Sequence, residues 1–163
     1  MTAISSGIGI LEVTQDEIDE FWDCHIRYLT EDGIITDPED IDYFTGEEYR
    51  GVIRKNMARP IDRHHLIWFL RDGEKIGAAS FCIDHSTDRE CFILDVWVFP
   101  PYRGGGTGHR CYEVLERYAL KDGADHFLLN SKKPGSVRFW KSNGYIENGR
   151  DEYDMPLYIK RVR

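Results

Sequence analysis

The clearest pattern of apolar and polar positions in the chain lies in residues 92–118. Apolar side chains occupy almost every position from 92 to 99, which predicts a strand that is buried on both faces. Phe92, Leu94, Val96 and Val98 are expected on one face, and Ile93, Trp97 and Phe99 on the other. Pro100 and Pro101 end this strand, because proline cannot donate a hydrogen bond to a neighbouring strand. Apolar residues at 111, 114, 115 and 118 then predict an amphipathic helix.

Similar patterns divide the rest of the chain into short elements. Apolar runs predict strands over 8–13, 66–70, 75–83, 127–130, 145–148 and 155–162. Helices are predicted over 18–29, over 37–58 with a break near Gly46, from the glycines to about 121, and over 134–143. The step Asp72-Gly73 predicts a hairpin turn. The order is β-α-α-β-β-β-α-β-α-β-β, an α/β (α+β) fold, and the lack of any linker or repeat predicts one domain over 1–163.

The segment between the central strand and its helix is rich in glycine. Arg103 precedes Gly104, Gly105, Gly106, Thr107 and Gly108. Glycines at a helix start leave backbone N–H groups accessible where the helix dipole favours anions, which predicts a phosphate site. A tight turn that needs glycine only for positive φ is the alternative. The dinucleotide pattern GxGxxG fails at His109, and GxxxxGK[ST] fails because no lysine follows the glycines.

A different motif fits this segment. Residues 98–108 read Val-x-Pro-x-Tyr-Arg-x-x-Gly-x-Gly, which resembles the acyl-CoA-binding motif of the GNAT superfamily of N-acetyltransferases. The predicted order of elements is also similar to the GNAT fold over nearly the whole chain. The resemblance implies a mixed, mostly antiparallel sheet flanked by helices. It also implies transfer of an acetyl group from acetyl-CoA to a primary amine of a small molecule or peptide, by direct attack in a ternary complex.

The resemblance further implies which residues contact coenzyme A. The loop amides of 104–108, with Arg103, are expected at the pyrophosphate. The strand before the motif splays in the family, so the backbone of Val96, Trp97 and Val98 is expected to face the pantetheine. Residues 136–145 resemble the family's second motif, in which Lys133 replaces the usual asparagine and Ser136 the usual alanine. Both are expected beside the cofactor.

Trp140 stands where this second motif has a tyrosine that protonates the departing thiolate. An indole N–H is a donor and not a useful acid, so core packing is the simpler role for Trp140. Tyr145 and Ser142 are the nearest hydroxyls in the sequence. Alternatively the thiolate leaves unprotonated, which is tolerable for a thiol whose pKa is about 8.5.

Asp95 is the one charged residue in the apolar core of the central strand. A buried carboxylate is costly unless it is paired or used, so Asp95 is predicted to bind the substrate ammonium or relay its proton. The alternative is a structural ion pair with an arginine, or a hydrogen bond to backbone. Some family members carry a Glu or His base at positions that are here Leu94 and Phe92, which leaves Glu90 as the second candidate base.

Aromatic residues interleaved with acidic ones concentrate in the N-terminal helices. In the family this region borders the acceptor site, so Trp22, Tyr28 and Tyr43 are candidates for substrate binding. The alternative is that they form the core and a solvated helix face.

Composition limits the partners. The net charge of −8 argues against general binding to nucleic acid or anionic membranes. No apolar run approaches the ~20 residues of a membrane span, and the N-terminus lacks the basic region of a signal peptide. Four cysteines without CxxC spacing favour reduced thiols and a cytoplasmic location, and the scattered histidines predict no metal site. The sequence does not determine the oligomeric state; because the family often pairs, the resemblance is compatible with a homodimer.

Two other functions remain compatible with the residues. A non-catalytic acyl-CoA-binding or regulatory module would keep the glycine loop and lack the tyrosine and strand carboxylates of active enzymes. A nucleotide-binding fold would bind ATP or NAD in place of coenzyme A.

Overall fold

The computed structural model describes residues 7–162, and the first six residues, which carry part of the signal-peptide prediction, lie outside the described residues. In this part of the chain seven strands form one sheet in the order β1-β2-β3-β4-β5-β7-β6. The strands are β1 (Ile8–Glu12), β2 (His64–Arg71), β3 (Glu74–Ile83), β4 (Glu90–Val98), β5 (His126–Asn130), β6 (Ile146–Arg150) and β7 (Pro156–Arg161). The β4–β5 pair is parallel and the other neighbouring pairs are antiparallel. The predicted mixed, mostly antiparallel sheet is confirmed.

Five helices accompany the sheet in residues 7–162: α1 (Ile18–Glu31), α2 (Pro38–Thr45), α3 (Glu47–Met57), α4 (Thr107–Lys121) and α5 (Pro134–Ser142). Gly46 separates α2 from α3 at the predicted break, so the second predicted helix is two helices. A Cβ on Gly46 would lie 2.9 Å from the carbonyl oxygen of Asp42, which explains the glycine. None of the helices described has both the length and the apolar composition that crossing a membrane requires.

The helices cover both faces of the sheet. On one face, the buried stripe of α4 (Cys111, Tyr112, Leu115 and Ala119) packs with Trp140 of α5. On the other face, Phe21 and Trp22 of α1 and Ile53 of α3 pack against Trp68 of β2. Burial of each large apolar side chain stabilises the fold by about 1.5–3 kcal/mol, so both layers are fixed relative to the central strands.

The hairpin between β2 and β3 is built as the sequence predicts. Asp72 and Gly73 have φ values of 53° and 81°. Two consecutive positive φ values are typical of a type I′ turn, whose twist matches that of the two strands.

A β-bulge interrupts the pairing of β3 with β4. Ser80 lies opposite Asp95, whereas the next residue, Phe81, lies opposite Ile93. Leu94 is therefore an extra residue without a partner on β3. Its side chain is 39% exposed.

This bulge reverses the alternation of side chains along β4. Ile93, before the bulge, packs in the same core cluster as Val98 after it, and Val96 packs against that cluster. The prediction that Phe92 and Leu94 share a buried face with Val96 and Val98 is wrong, because one inserted residue moves all later side chains to the opposite face.

Candidate active site

The strands β4 and β5 run together briefly and then separate. Their parallel register joins Glu90, Cys91 and Phe92 of β4 to residues 126–128 of β5. Past this point a cleft of about 220 Å³ opens between the end of β4 and α5. Its lining includes Val96, Trp97, Val98, Gly108, Ser136 and Trp140. The splayed geometry that the resemblance implies is therefore present, with residues 96–98 along the cleft wall.

A larger cleft of about 450 Å³ lies beside the first one. Its lining includes Tyr28, Asp32, Leu94, Asp95, Lys133 and Ser136. Ser136 lines both cavities, so the two clefts adjoin at this residue. An opening with two arms is able to receive two ligands whose ends come together.

The glycine loop at the start of α4 exposes backbone N–H groups. Gly104, Gly105 and Gly106 have φ values of 98°, 63° and 80°, in the left-handed region that favours glycine. The N–H and hydroxyl of Thr107 both donate to the Gly104 carbonyl, at 3.2 and 2.9 Å. Within residues 7–162, the N–H groups of Gly105, Gly106 and Gly108 donate no hydrogen bond. A Cβ on Gly104 or Gly105 would meet no heavy atom within 4 Å, so the loop borders open space.

Two other residues of the motif have structural partners. A Cβ on Gly108 would lie 3.2 Å from the Phe139 ring, so this glycine permits the contact between α4 and α5. The Nε of Arg103 donates to the Val98 carbonyl at 2.7 Å. Its Nη1 and Nη2 donate to the Asp32 carboxylate at 3.2 and 2.8 Å. Arg103 thus joins the end of β4 to the end of α1, and its contact with a pyrophosphate stays a prediction.

Lys133 holds the same corner of the chain from the other side. Its Nζ donates to the carbonyl oxygens of Asp32 and Gly33 at 3.0 and 2.8 Å. Arg103 and Lys133 together fix the end of α1 over the clefts. The two carbonyls use two of the three N–H donors of this ammonium, so its contact with a coenzyme A phosphate stays a prediction.

Asp95 lies on the wall of the larger cleft, with its side chain 13% exposed. Its Oδ2 lies 3.1 Å from Nε2 of His25, which is buried in α1. Its other oxygen has no hydrogen-bond partner in the described part of the chain. The partner is therefore neither an arginine nor the backbone. His25 lies within the helix predicted over 18–29 and is not among the residues predicted for the site; a histidine between the apolar residues of that helix is the signal for a buried polar partner.

Glu90, the second candidate base, lines neither cleft. It lies at the other end of β4, roughly 16 Å along the strand from Asp95, and its Oε1 is 3.6 Å from Nε2 of His126. Burial raises the pKa of Glu90, with the carboxylate of Asp88 acting in the same direction. The donor atoms of Asp88, Glu90 and His126 lie within 4.8 Å of one another, a spacing that exposed acidic groups often show without a metal ion. Glu90 therefore lies outside both clefts, and its role as a base stays a prediction.

The three predicted acceptor residues separate in the structure. Tyr28 stacks on Trp97 at a centroid distance of 4.6 Å and lines the larger cleft. Trp22 is 2% exposed and forms part of the core, with the guanidinium of Arg50 over its ring. Tyr43 is 47% exposed and lines neither cleft. Tyr28 is therefore the member of this group that a ligand in the larger cleft would meet.

The model of the acetyltransferase (GNAT) family matches residues 19–145. The chain belongs to the GNAT family. No curated protein sequence matches it. Many solved structures share its fold. Three of them contain coenzyme A or acetyl-CoA.

The PaiA N-acetyltransferase of Thermoplasma acidophilum, in complex with coenzyme A, is 16% identical to this chain and superposes with a TM-score of 0.72. The match covers 95% of this chain and 99% of the PaiA chain. A GNAT family acetyltransferase of Elizabethkingia anophelis with acetyl-CoA bound is 11% identical with a TM-score of 0.60, covering 96% and 99%. The N-acetylglutamate synthase of Neisseria gonorrhoeae, complexed with coenzyme A and N-acetyl-glutamate, is 18% identical to this chain with a TM-score of 0.64. The match covers 96% of this chain and 35% of the synthase chain. At these identities the likeness shows the GNAT fold.

In this GNAT chain, Trp140 at the family's tyrosine position is a packing residue. Its side chain is 7% exposed and meets the rings of Tyr112 and Tyr145 edge-on, each at 5.2 Å between centroids. The hydroxyls of Tyr112 and Tyr145 bond to each other at 2.7 Å, and burial raises the pKa of Tyr145. The hydroxyl of Ser142 donates to the carbonyl of Phe139 at 2.7 Å. Neither candidate acid named from the sequence lines a cleft of this GNAT site.

A different hydroxyl stands where the clefts of this GNAT chain meet. Ser131 donates a hydrogen bond to Oγ of Ser136 at 2.8 Å. With this bond accepted, the hydroxyl proton of Ser136 is free for another acceptor. Ser136 was predicted only as a cofactor contact; the structural signal for a further role is its place in both cavities.

Proposed function

We propose that residues 1–163 form one N-acetyltransferase domain that transfers an acetyl group from acetyl-CoA to a primary amine of a small molecule or peptide. The reaction is direct attack in a ternary complex. The observation that carries the proposal is the meeting of two clefts at Ser136, one bordered by residues 96–98 and Gly108 and the other by Asp95. The start of α4, through Gly108, and the carboxylate of Asp95 thus border neighbouring cavities that share Ser136, which supports the proposal.

The residues of the smaller cleft fit coenzyme A. The unpaired N–H groups of Gly105, Gly106 and Gly108 would hold the pyrophosphate, which the dipole of α4 also favours. The backbone of residues 96–98 would face the pantetheine. When bound, acetyl-CoA supplies the acetyl group as a thioester.

The residues of the larger cleft fit an amine. The free carboxylate oxygen of Asp95 would bind the ammonium and take up its proton before attack. The ring of Tyr28, which stacks on Trp97, would contact the apolar part of the acceptor. The hydroxyl of Ser136 would donate a hydrogen bond to the sulfur of the departing thiolate and so stabilise its charge, while the proton that the thiolate finally takes up is the one the attacking amine loses.

Ligand-dependent melting and thiol release test this proposal. Coenzyme A and acetyl-CoA are expected to raise the melting temperature by mass action, more than ATP or NAD does. Thiol release from acetyl-CoA is measured with a panel of amino acids, polyamines, aminoglycosides and peptides. Stabilisation by ATP or NAD without coenzyme A would indicate a nucleotide-binding fold. Coenzyme A binding with no amine-dependent release would favour the regulatory module.

The Asp95→Asn variant tests the assignment of the base. It keeps the volume of the side chain and removes its charge. We expect kcat/KM for the amine to fall by ~10²-fold or more, while acetyl-CoA still raises the melting temperature. A stable variant with unchanged kcat/KM would remove Asp95 from the mechanism.

The proposal includes a cytoplasmic location and, as is frequent in the family, a homodimer. Sedimentation at several protein concentrations measures the second.

A further inference from the structure

His25 is a buried histidine enclosed by aromatic side chains. It is 1% exposed, and the rings of Phe21 and Tyr49 lie nearly parallel to it, both with centroids at 6.0 Å. Three further rings, of Trp22, Phe44 and Trp97, approach it at larger angles. Rings from three helices and from β4 thus hold the imidazole in one orientation, which fixes the direction of its two nitrogens.

The contacts of these nitrogens determine which one carries the proton. Nε2 lies 3.1 Å from the carboxylate oxygen of Asp95, whereas Nδ1 is buried with no hydrogen-bond partner in the described residues. A proton on Nδ1 would leave a buried N–H unsatisfied and would set the lone pair of Nε2 against the carboxylate. The proton therefore belongs on Nε2, which donates to Asp95.

The bulge in β4 is what brings Asp95 to this donor. Ile93, two residues earlier, faces the α4 side of the sheet. Regular alternation would place Asp95 on that same side, but the extra residue Leu94 moves it to the side of α1. The other histidine near Asp95, His64, has its Nε2 2.7 Å from the hydroxyl of Ser80 and is occupied there.

We propose that His25 is a positioning residue for acetyl transfer: its Nε2–H holds Oδ2 of Asp95 so that the other carboxylate oxygen faces the acceptor amine in the larger cleft. This role rests on the proposed function. The carboxylate acts on the amine, and His25 acts through the carboxylate. A carboxylate fixed by a caged ring keeps one orientation before the amine arrives, so little reorganisation is needed when it binds.

Two substitutions at position 25 test this role. His25→Phe keeps an aromatic ring in the cage and removes the donor. His25→Gln supplies an amide N–H at about the distance of Nε2. We expect His25→Phe to lower kcat/KM for the amine by about 10- to 100-fold, the scale of a hydrogen bond to a charged group. We expect His25→Gln to recover most of it and both variants to keep the KM for acetyl-CoA within about twofold.

A merely structural histidine gives a different result. The two variants would then lose activity in proportion to their loss of folded protein, or KM would change equally for both substrates. Either result, or unchanged amine kcat/KM in folded His25→Phe, overturns the proposal. Equal impairment of His25→Gln and His25→Phe overturns it as well.

Nitrogen-15 NMR of the wild-type histidines gives a readout that needs neither activity nor a folded Phe variant. The signal that disappears in His25→Gln is expected to be that of a ring protonated on Nε2 with a free Nδ1. A ring protonated on Nδ1 would overturn the proposal. If no amine supports thiol release, the proposed function fails, and the NMR result still decides the contact between His25 and Asp95.

Discussion

Gly77 of β3 lies against the backbone of Trp97 in β4. A Cβ at position 77 would be 2.5 Å from the Trp97 carbonyl oxygen and 3.2 Å from Cα of Val98. Both contacts are to backbone, which cannot swing aside as a long side chain does. The position of β4 along the smaller cleft therefore depends on a glycine in the neighbouring strand.

We expect Gly77→Ala to lower the free energy of unfolding by about 1–3 kcal/mol, the usual cost of overpacking. It should also weaken coenzyme A binding, because residues 96–98 line that cleft. Urea unfolding and ligand-dependent melting measure the two effects. Gly9→Ala is the matched control: a Cβ there has no heavy atom within 4 Å, and its effect should stay within about 0.5 kcal/mol. Equal effects of the two substitutions would contradict the packing argument.

The glycine loop is tested by a pair of variants that differ in charge alone. Gly105 has φ 63°, a value that Asn and Asp tolerate, and open space lies where a Cβ would stand. We expect Gly105→Asp to bind coenzyme A at least ~10-fold more weakly than Gly105→Asn, because its carboxylate repels a pyrophosphate at the exposed N–H groups. Calorimetric titration measures both affinities. Equal affinities of the two variants would show that no phosphate binds beside this residue.

Gly108 is less suitable for this test. Its Cβ would be 3.2 Å from the ring of Phe139. A larger residue there would disturb the contact of α4 with α5 as well as the loop, so weaker binding would have two explanations.

His64 makes the stability of the fold depend on pH. Burial lowers the pKa of His64 to about 4, with the carboxylate of Asp95 acting in the opposite direction. The unfolded chain binds this proton near pH 6.5, and the folded chain binds it only near 4. The contribution of neutral His64 to the free energy of unfolding is therefore fully present above about pH 6.5, and it is lost as the pH falls towards 4. We expect the titration of His64 alone to lower the free energy of unfolding by about 2 kcal/mol between pH 7 and 5.

Urea unfolding at several pH values measures this dependence. His64→Gln keeps a group that bonds to Ser80 and does not titrate, so its unfolding free energy should fall less steeply from pH 7 to 5. Identical slopes in the two proteins would show that His64 is not the titrating group.

Elements whose cause is local were predictable from the sequence. Asp72 and Gly73 both adopt the positive φ that the turn requires. At the break between α2 and α3 a Cβ would be 2.9 Å from the Asp42 carbonyl oxygen, and Gly46 avoids that contact. The glycine loop likewise precedes α4 as its composition predicts. In each case the residue type limits the backbone without help from distant parts of the chain.

The contact of His25 with Asp95 depends on distant parts of the chain. The two residues are 70 positions apart, and their meeting needs the bulge at Leu94. The residue types of β4 do not predict that bulge, because the alternation of side chains along a strand indicates which face each one occupies only where the strand is regular. Arg103 and Lys133 show the same limit. The resemblance implied cofactor contacts for both, and it could not indicate that Arg103 also bonds to Asp32 or that Lys133 also bonds to the carbonyls of Asp32 and Gly33.

The hydrogen bond to the departing thiolate gives the last prediction. Ser136 lies where the two clefts meet, and Ser131 already donates to its oxygen, so the Ser136 proton is available. We expect Ser136→Ala to lower kcat by ~10-fold with little change in KM for the amine. This is below the usual 10²–10⁴-fold for an acid or base, since a thiol with a pKa of about 8.5 leaves readily.

Ser142→Ala is the control for this variant, because it makes the same change in the same helix. Its hydroxyl donates to the Phe139 carbonyl and lies outside both clefts, so kcat should stay at the wild-type value. Rates of thiol release at saturating amine compare the two. Wild-type kcat in Ser136→Ala would mean that the thiolate leaves without a hydrogen bond from Ser136. A loss in Ser142→Ala equal to that in Ser136→Ala would assign the effect to helix stability, because these two hydroxyls share α5 and not the cleft.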